Sequence, residues 1–242
     1  MNTLYITGAG VSAASGIPTF RGSDGFWTIG SRNYTPQEMA TRAMYEQQPE
    51  QFLRWYYHRF ATYRDHGPNA VHHWLADKNL ITQNVDGLDG KAGNRDYLPI
   101  HGRIDQMTLY HDQDRVDEIE ALSAPWDRVD ESAVDASLRE LFRIDGPRPR
   151  LNHSMKPFVL LFDEFYTELY RIGEAQQRML LAERMVFMGT SFSVNITAIA
   201  LDIARSRMIP VEIVDPDPVD VAYTLASYHR MTALDYVSEQ GS

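Results

Sequence analysis

Residues 4–22 constrain this chain more than any other stretch. Leu4-Tyr5-Ile6-Thr7 reads as an apolar strand that turns at Gly8, and Gly8-Ala9-Gly10-Val11-Ser12-Ala13 fits the G-x-G-x-x-G/A pattern. Glycines at such a turn let backbone N–H groups approach a pyrophosphate at a helix N-terminus. Alone the pattern is weak. The informative part follows it, because Gly16 and Pro18 leave room for only one or two helical turns after Gly10. An ordinary dehydrogenase would continue into a full crossover helix and a second strand ending on an acid. This chain turns instead into Thr19-Phe20-Arg21-Gly22, an aromatic beside a permanent cation. Such a loop sets extra side chains over a nucleotide and points to chemistry on the dinucleotide itself.

Composition narrows the classes. The chain has 242 residues, 43% apolar and 11% aromatic, enough for a real core in one domain or one and a half. No apolar run could span a membrane, and the N-terminus enters a strand without a charged leader, so a cytoplasmic protein with no membrane partner is expected. Cysteine is absent, which excludes disulfides, a thiolate nucleophile and every cysteine-ligated zinc site. A net charge of −10 argues against nucleic acid as the main partner. A monomer is expected.

Along the chain, Thr35 and Pro36 read as the N-cap and first residue of a helix. A second helix, Pro49 to Phe60, places Phe52, Trp55, Tyr56, Arg59 and Phe60 on one side, and another begins at Ala70. Leu80 to Asp86 is a short strand turning polar at its end, followed by a helical turn from Gly87 to Ala92. Tyr97 to Gly102 repeats that pattern, an apolar approach to His101-Gly102. Residues 103–155 differ: they are acidic, with a helical segment from Glu131 to Phe142 and a loop at Gly146-Pro147-Arg148-Pro149-Arg150. This insert would pack through Leu122, Trp126, Leu138, Leu141 and Phe142. Beyond it come a strand at Pro157–Phe162, a helix from Asp163 to Leu181, and a strand opening into Gly189-Thr190-Ser191. A helix from Ala198 to Arg205 and a strand ending at Asp215 follow, and the remainder reads as helix and tail. The alternation gives an α/β fold, a Rossmann-like open parallel sheet with helices on both faces plus a small inserted module. Residues 1–102 and 156–242 would form the nucleotide-binding domain and 103–155 the insert, with residues 30–75 as a helical part of the small domain.

The expected strand ends supply Gly8 and Ser12, Gln83-Asn84 and Asp86, Gly189-Thr190-Ser191, and Asp215. Glycines allow backbone approach, hydroxyls and amides suit ribose and phosphate, and a carboxylate suits ribose hydroxyls. Any one of them alone is as readily a turn or a cap. Together with Ser15-Gly16-Ile17-Pro18-Thr19-Phe20-Arg21-Gly22, Thr82-Gln83-Asn84-Val85-Asp86-Gly87-Leu88, Ala92-Gly93 and His101-Gly102, they resemble the signature blocks of the sirtuins, in that family's order. The resemblance runs from Leu4 to Asp215 apart from the insert.

It implies an NAD-dependent protein lysine deacylase that cleaves NAD to nicotinamide and transfers an acyl group to ADP-ribose. It further implies an acyl-lysine protein or peptide as partner. NAD would be held by Gly8, Ala9, Gly10, Ser12, Ile17, Phe20, Arg21, Trp27, Gln83, Asn84, Asp86, Gly189, Thr190, Ser191 and Asp215. Asn84 and His101 would be catalytic, His101 as general base toward a ribose hydroxyl. Tyr56 and Arg59 have the Tyr-x-x-Arg spacing of the family's desuccinylase-type members, where a phenol and a guanidinium share a helix face and hold an acidic acyl group.

Departures accompany the match. The family normally carries four zinc-binding cysteines in the small module, and this chain has none; no metal is expected, with His111, Asp112 and His153 read as solvated surface. Asp89 stands where a histidine is frequent and Asp163 where a glycine precedes the glutamate. Asn195-Ile196-Thr197 lacks a proline, and Asp215 replaces an asparagine. Because the module shapes the peptide cleft, an NAD glycohydrolase or an ADP-ribosyltransferase with another acceptor is the second reading. A non-catalytic NAD-binding module is the third.

Overall fold

The apolar stretches through Ile6, Ile81, Phe187 and Ile213 are buried along most of their length on both faces, the condition of strands inside a covered parallel sheet. The computed structural model describes residues 2–18, 34–114 and 119–240. In chain order its strands are β1 (Thr3–Thr7), β2 (Asn79–Thr82), β3 (Leu98–Pro99), β4 (Gly102–Leu109), β5 (Ala121–Ser123), β6 (Met155–Val159), β7 (Arg184–Met188), β8 (Val211–Val214) and β9 (Ala226–His229). Six of them form one sheet in the order β3-β2-β1-β7-β8-β9, and the other three form a second in the order β5-β4-β6. Every pairing in the larger sheet is parallel. Thr7 lies level with Thr82 on one side and Met188 on the other, and Met188 with Val214. The four central strands therefore deliver their polar ends along one edge.

Two compact units result: Met1–Thr19, His66–Ile100 and Arg171–Ser242 in the first, Phe20–Asp65 and His101–Tyr170 in the second. The first contains the parallel sheet. One core there gathers Tyr5, Leu80, Val186 and Val214 from the strands with Val71, Leu75, Tyr236 and Val237 from flanking helices. No helix among the described residues is long and apolar enough to cross a membrane.

The second unit is built on the helix Pro49–Tyr63, whose Phe52, Leu53, Trp55, Tyr56, Tyr57 and Arg59 are buried. Ahead of it, Thr35 caps Pro36–Met39 in a reciprocal capping box with Glu38, as the Thr-Pro-x-Glu spacing requires. Trp126, Leu138 and Phe142 are at most 1% exposed, and the Trp126 indole donates to the Ile104 carbonyl at 2.7 Å. Leu122 does not join them. It sits on the edge strand β5 and is 45% exposed.

Further elements differ from expectation, β4 and β5 among them, since the reading of residues 103–155 held no strands. The strand foreseen at 157–162 runs Met155–Val159 and pairs antiparallel with β4 instead of extending the parallel sheet. The helix foreseen from Asp163 begins only at Ile172, after Arg171 in a left-handed conformation. Side chains explain this. The Asp163 carboxylate accepts the Arg42 and Ala43 N–H groups at 2.6 and 3.1 Å, capping the helix Arg42–Gln47, and Glu164 accepts the Leu161 N–H at 3.1 Å. Such bonds hold 161–164 as a turn and compete with helix. Last, β9 was not foreseen, because Ala-Ser-Tyr-His carries no apolar alternation.

Glu164 also accepts the Lys156 ammonium at 2.9 Å and the Arg42 guanidinium at 3.2 Å. Lys156 is fully buried and Glu164 3% exposed at the side chain. Burial opposes the Glu164 charge, but Lys156, the Leu161 N–H and Arg42 outweigh it and hold the carboxyl below its ordinary range. Removing one member of such a pair strands the other, at about 3–5 kcal/mol, whereas replacing both with apolar groups is often neutral. Lys156→Met should therefore lower the urea unfolding free energy by about that amount, and Lys156→Met with Glu164→Leu should recover most of the loss.

Candidate functional site

In the first unit the site begins where β1 and β7 end. Gly8 N–H donates to the Met188 carbonyl at 3.0 Å and Gly10 N–H to the Gly189 carbonyl at 2.9 Å. A Cβ on Gly10 would lie 2.6 Å from Gly189 Cα, and one on Gly8 would lie 2.7 Å from Gly189 O. The two loops thus touch backbone to backbone. After Gly8 the chain forms a 3-10 helix, Ala9–Ser15, closed by Gly16 at φ 81°. The expected single turn or two is what forms. No side chain caps its start and its first turn holds no acid, which keeps negative charge away from the turn.

Polar side chains converge beside this turn. Asn84 Nδ2 donates to the Gly8 carbonyl at 3.0 Å and to Ser12 Oγ at 3.1 Å. Ser12 in turn donates to Asp86 Oδ2 at 2.7 Å, while Asp86 Oδ1 accepts the Leu88 N–H at 2.9 Å. Gln83 and Thr190 bond through their side chains at 3.0 Å. Ile17 is buried, with its N–H donating to the Ser12 carbonyl at 3.3 Å. Ser191 shares a 2.6 Å hydrogen bond with Ser193. Asp215, at the end of β8, accepts the Asp217 N–H at 2.9 Å. The structure thus brings Gly8, Ala9, Gly10, Ser12, Asn84, Asp86 and Gly189 together, with Gln83 bonded to Thr190. Phe20, Arg21 and Trp27 lie outside the described residues.

His72 belongs to this cluster and is absent from the sequence reading. Fully buried in the short helix Ala70–Trp74, it accepts the Asn69 N–H on Nδ1 at 3.2 Å, which leaves the Nε2 proton facing Ser12 Oγ at 3.5 Å. Asn69 caps that helix and also donates to the Val11 carbonyl at 2.8 Å. Burial lowers the His72 pKa against the pull of Asp86, so the ring is neutral at pH 7. The Pro-Asn-Ala-Val-His-His spacing was the available signal: an N-cap followed by a histidine at its third helical position.

The second unit carries the remaining candidates. His101 sits in the turn before β4, its Nε2 2.8 Å from Tyr166 Oη, with the two rings stacked at 5.8 Å and 27°. Tyr56 and Arg59 are 0% and 1% exposed on the helix Pro49–Tyr63. The Arg59 guanidinium lies 3.2 Å over the Trp55 ring and donates to the Trp55 carbonyl at 2.8 Å. Burial lowers its pKa, yet a guanidinium remains a cation at neutral pH. Tyr56 Oη is buried with no hydrogen-bond partner among the described residues, and burial raises its pKa. Among the described residues, no group of three or more acidic or histidine side chains is arranged to hold a metal ion.

Asp89 adds a buried charge near the nucleotide-side cluster. It is 1% exposed, and burial, reinforced by Asp86, pushes its carboxyl up to about 7 against a hydrogen bond from Thr82. Its folded-state pKa thus exceeds the unfolded value near 4, and between those two pH values the native state binds more protons. Stability from this group is present below about pH 4 and is lost as pH rises to about 7. Asp89→Asn should accordingly gain on the parent protein by a few kcal/mol as urea titrations move from pH 4.5 to pH 8. A stability difference independent of pH would contradict the shift.

Comparison with known proteins gives this geometry a family. Residues 8–196 match the model of the Sir2 family. The chain is 28% identical over 241 residues to NAD-dependent protein deacylase 1 of Caldanaerobacter subterraneus subsp. tengcongensis, covering 97% of this chain and 90% of that protein. It is 31% identical over 201 residues to NAD-dependent protein deacetylase of Sulfolobus acidocaldarius, covering 80% and 71%. Among solved structures, the complex of a Sir2 homologue with NAD superposes with a TM-score of 0.73 at 26% identity, covering 98% of this chain and 86% of that one. With the glycine-to-glycine turn, the Gln-Asn-x-Asp strand end and the His-Gly turn all in place, the chain belongs to the Sir2 family, the sirtuins.

Proposed function

We propose that this chain is an NAD-dependent protein deacylase that removes acyl groups from lysine side chains. The observation that carries the reading is the joined cluster of Gly8, Gly10 and Gly189 with Ser12, Asn84 and Asp86 at adjacent strand ends, in a chain of this family whose relatives are named NAD-dependent protein deacylase and deacetylase. NAD, when bound, supplies an ADP-ribosyl group from which nicotinamide leaves and to which the acyl group passes. The protein's own part is positioning and proton transfer. Gly8, Ala9 and Gly10 keep the turn clear of bulky side chains so that phosphate can approach it, Thr190 and Ser191 offer hydroxyls, and Asp215 suits a ribose diol. Asp86, Ser12 and Asn84 lock one another, which leaves the Asn84 amide oxygen and the remaining carboxylate lone pairs of Asp86 for the nicotinamide end. His101 is the general base, a role for which neutral imidazole is suited near pH 7.

The acyl group is set by Tyr56 and Arg59. A buried phenol with no hydrogen-bond partner among the described residues and a buried cation on one helix face favour an acyl group ending in a carboxylate, such as succinyl or malonyl. Arg59→Met should then lower kcat/KM on a succinyl-lysine peptide at least about tenfold more than on an acetyl-lysine peptide, an interaction to a charged group being worth roughly 1.5–3 kcal/mol. Equal losses would remove the acidic-acyl assignment.

Nicotinamide release separates deacylation from simple NAD cleavage. It should depend on the acyl-lysine peptide and fall at least about a hundredfold in His101→Ala, the scale of general-base catalysis. Release from NAD alone at the same rate would instead make the protein a glycohydrolase.

A further inference from the structure

Tyr166 has no part in the sequence reading, yet it both hydrogen-bonds and stacks on the His101 ring. Its Oη lies 2.8 Å from Nε2 and its ring stacks on the imidazole at 27°. The segment leading into it is anchored at several points. Asp163 is tied to the backbone of Arg42 and Ala43, Glu164 to the buried Lys156, and the Phe165 N–H donates to Gln113 Oε1 at 2.6 Å. Earlier in the same segment the Leu160 N–H donates to the His101 carbonyl at 3.0 Å, so strand exit and histidine turn are bonded directly. Tyr166 is thus delivered to His101 by anchored backbone, not by a freely swinging side chain.

We propose that Tyr166 is a positioning residue that selects the tautomer in which His101 acts as a base. The inference rests on the reading of His101 as the general base. A neutral imidazole offers one lone pair, and a ring that donates from Nε2 has none there to receive a proton. A phenol O–H donating to Nε2 keeps the lone pair on that atom and places the ring proton on Nδ1. The stack fixes the ring plane at the same time, so both tautomer and direction are set before substrate arrives. For the base to act, the phenol first turns its own proton away and frees the Nε2 lone pair. The substrate hydroxyl then gives up its proton: its O–H bond breaks, an Nε2–H bond forms and the imidazole becomes a cation. The phenol oxygen, able to accept as well as donate, can receive the new Nε2–H.

The test reads the ligand-free protein first. Imidazole 15N shifts of His101, recorded where the ring is neutral, should show protonated Nδ1 and unprotonated Nε2. Tyr166→Phe, which keeps the ring stack, should shift the population toward Nε2–H. With NAD and an acyl-lysine peptide, Tyr166→Phe should lower kcat about tenfold, part of the 10²–10⁴ typical of a general base, with KM for NAD unchanged. An Nε2–H tautomer in the parent protein, or 15N shifts that do not change in Tyr166→Phe, would overturn the role given to Tyr166 while leaving the base intact. Full turnover in His101→Ala would instead overturn the base reading, whatever the 15N spectra show.

Discussion

The close approach of two backbones at Gly8, Gly10 and Gly189 is the constraint on which the nucleotide side of this protein depends. Each of the three would place a Cβ within 2.7 Å of backbone in the facing loop, and Gly189 has a φ of +59° as well. Backbone cannot retreat as a flexible side chain can, so a methyl group at any of them would push the β1 and β7 exits apart. Those exits are held by the Gly8–Met188 and Gly10–Gly189 hydrogen bonds. The Gly8 carbonyl is also what Asn84 grips from β2's end, and Ser12, two residues beyond Gly10, receives the same amide. One contact therefore sets the distance among three strand ends. The polar cluster follows from it, because Asn84, Ser12 and Asp86 bond to one another and to that fixed backbone.

How far sequence carries such an argument depends on whether the signal is local. Buried parallel strands announce themselves as short apolar runs, and the runs through Ile6, Ile81, Phe187 and Ile213 form the central sheet as expected. The cap at Thr35 was equally legible, since donor, acceptor and proline lie within four residues. What escaped depends on partners far along the chain. His72 meets Ser12 across 60 residues and Tyr166 meets His101 across 65. Nothing in the neighbourhood of a lone tyrosine says which histidine it will face. The stretch after Phe162 misled for the related reason that Asp163 and Glu164 suit a helix start locally. Their actual partners, Arg42, Ala43 and Lys156, spend those carboxylates elsewhere. The apolar run of β6 is that of a parallel strand, and such a run does not encode direction. Its antiparallel partner β4 decides that.

The second unit shows how a cysteine-free module coheres. Trp126 lies 4.9 Å from Phe142 and stacks on Phe60 at 6.0 Å, so an indole from the insert joins a helix of the earlier segment within the same unit. Packing of this kind supplies most of the stabilisation, since each large aromatic buries on the order of 150–250 Å². It is also permissive: apolar surfaces tolerate sliding and repacking far better than hydrogen-bonded ones do.

That permissiveness gives the buried Lys156–Glu164 pair a reason to exist. A lysine and a glutamate withdrawn from water gain little net stability over apolar side chains of similar size. What they supply is direction. The Glu164 carboxylate is satisfied only when it faces Lys156, Arg42 and the Leu161 N–H together, and Lys156 only when its ammonium also meets the Val159 carbonyl. An apolar substitute could fill the space in several registers of the 160–166 segment, whereas these bonds admit one. Two residues after Glu164 the chain presents Tyr166 to His101, and two before Leu161 it leaves β6. A shift of one residue would remove the phenol from the imidazole altogether. The buried charges therefore act on the site by fixing where the backbone is, and their cost in stability is the cost of that single register.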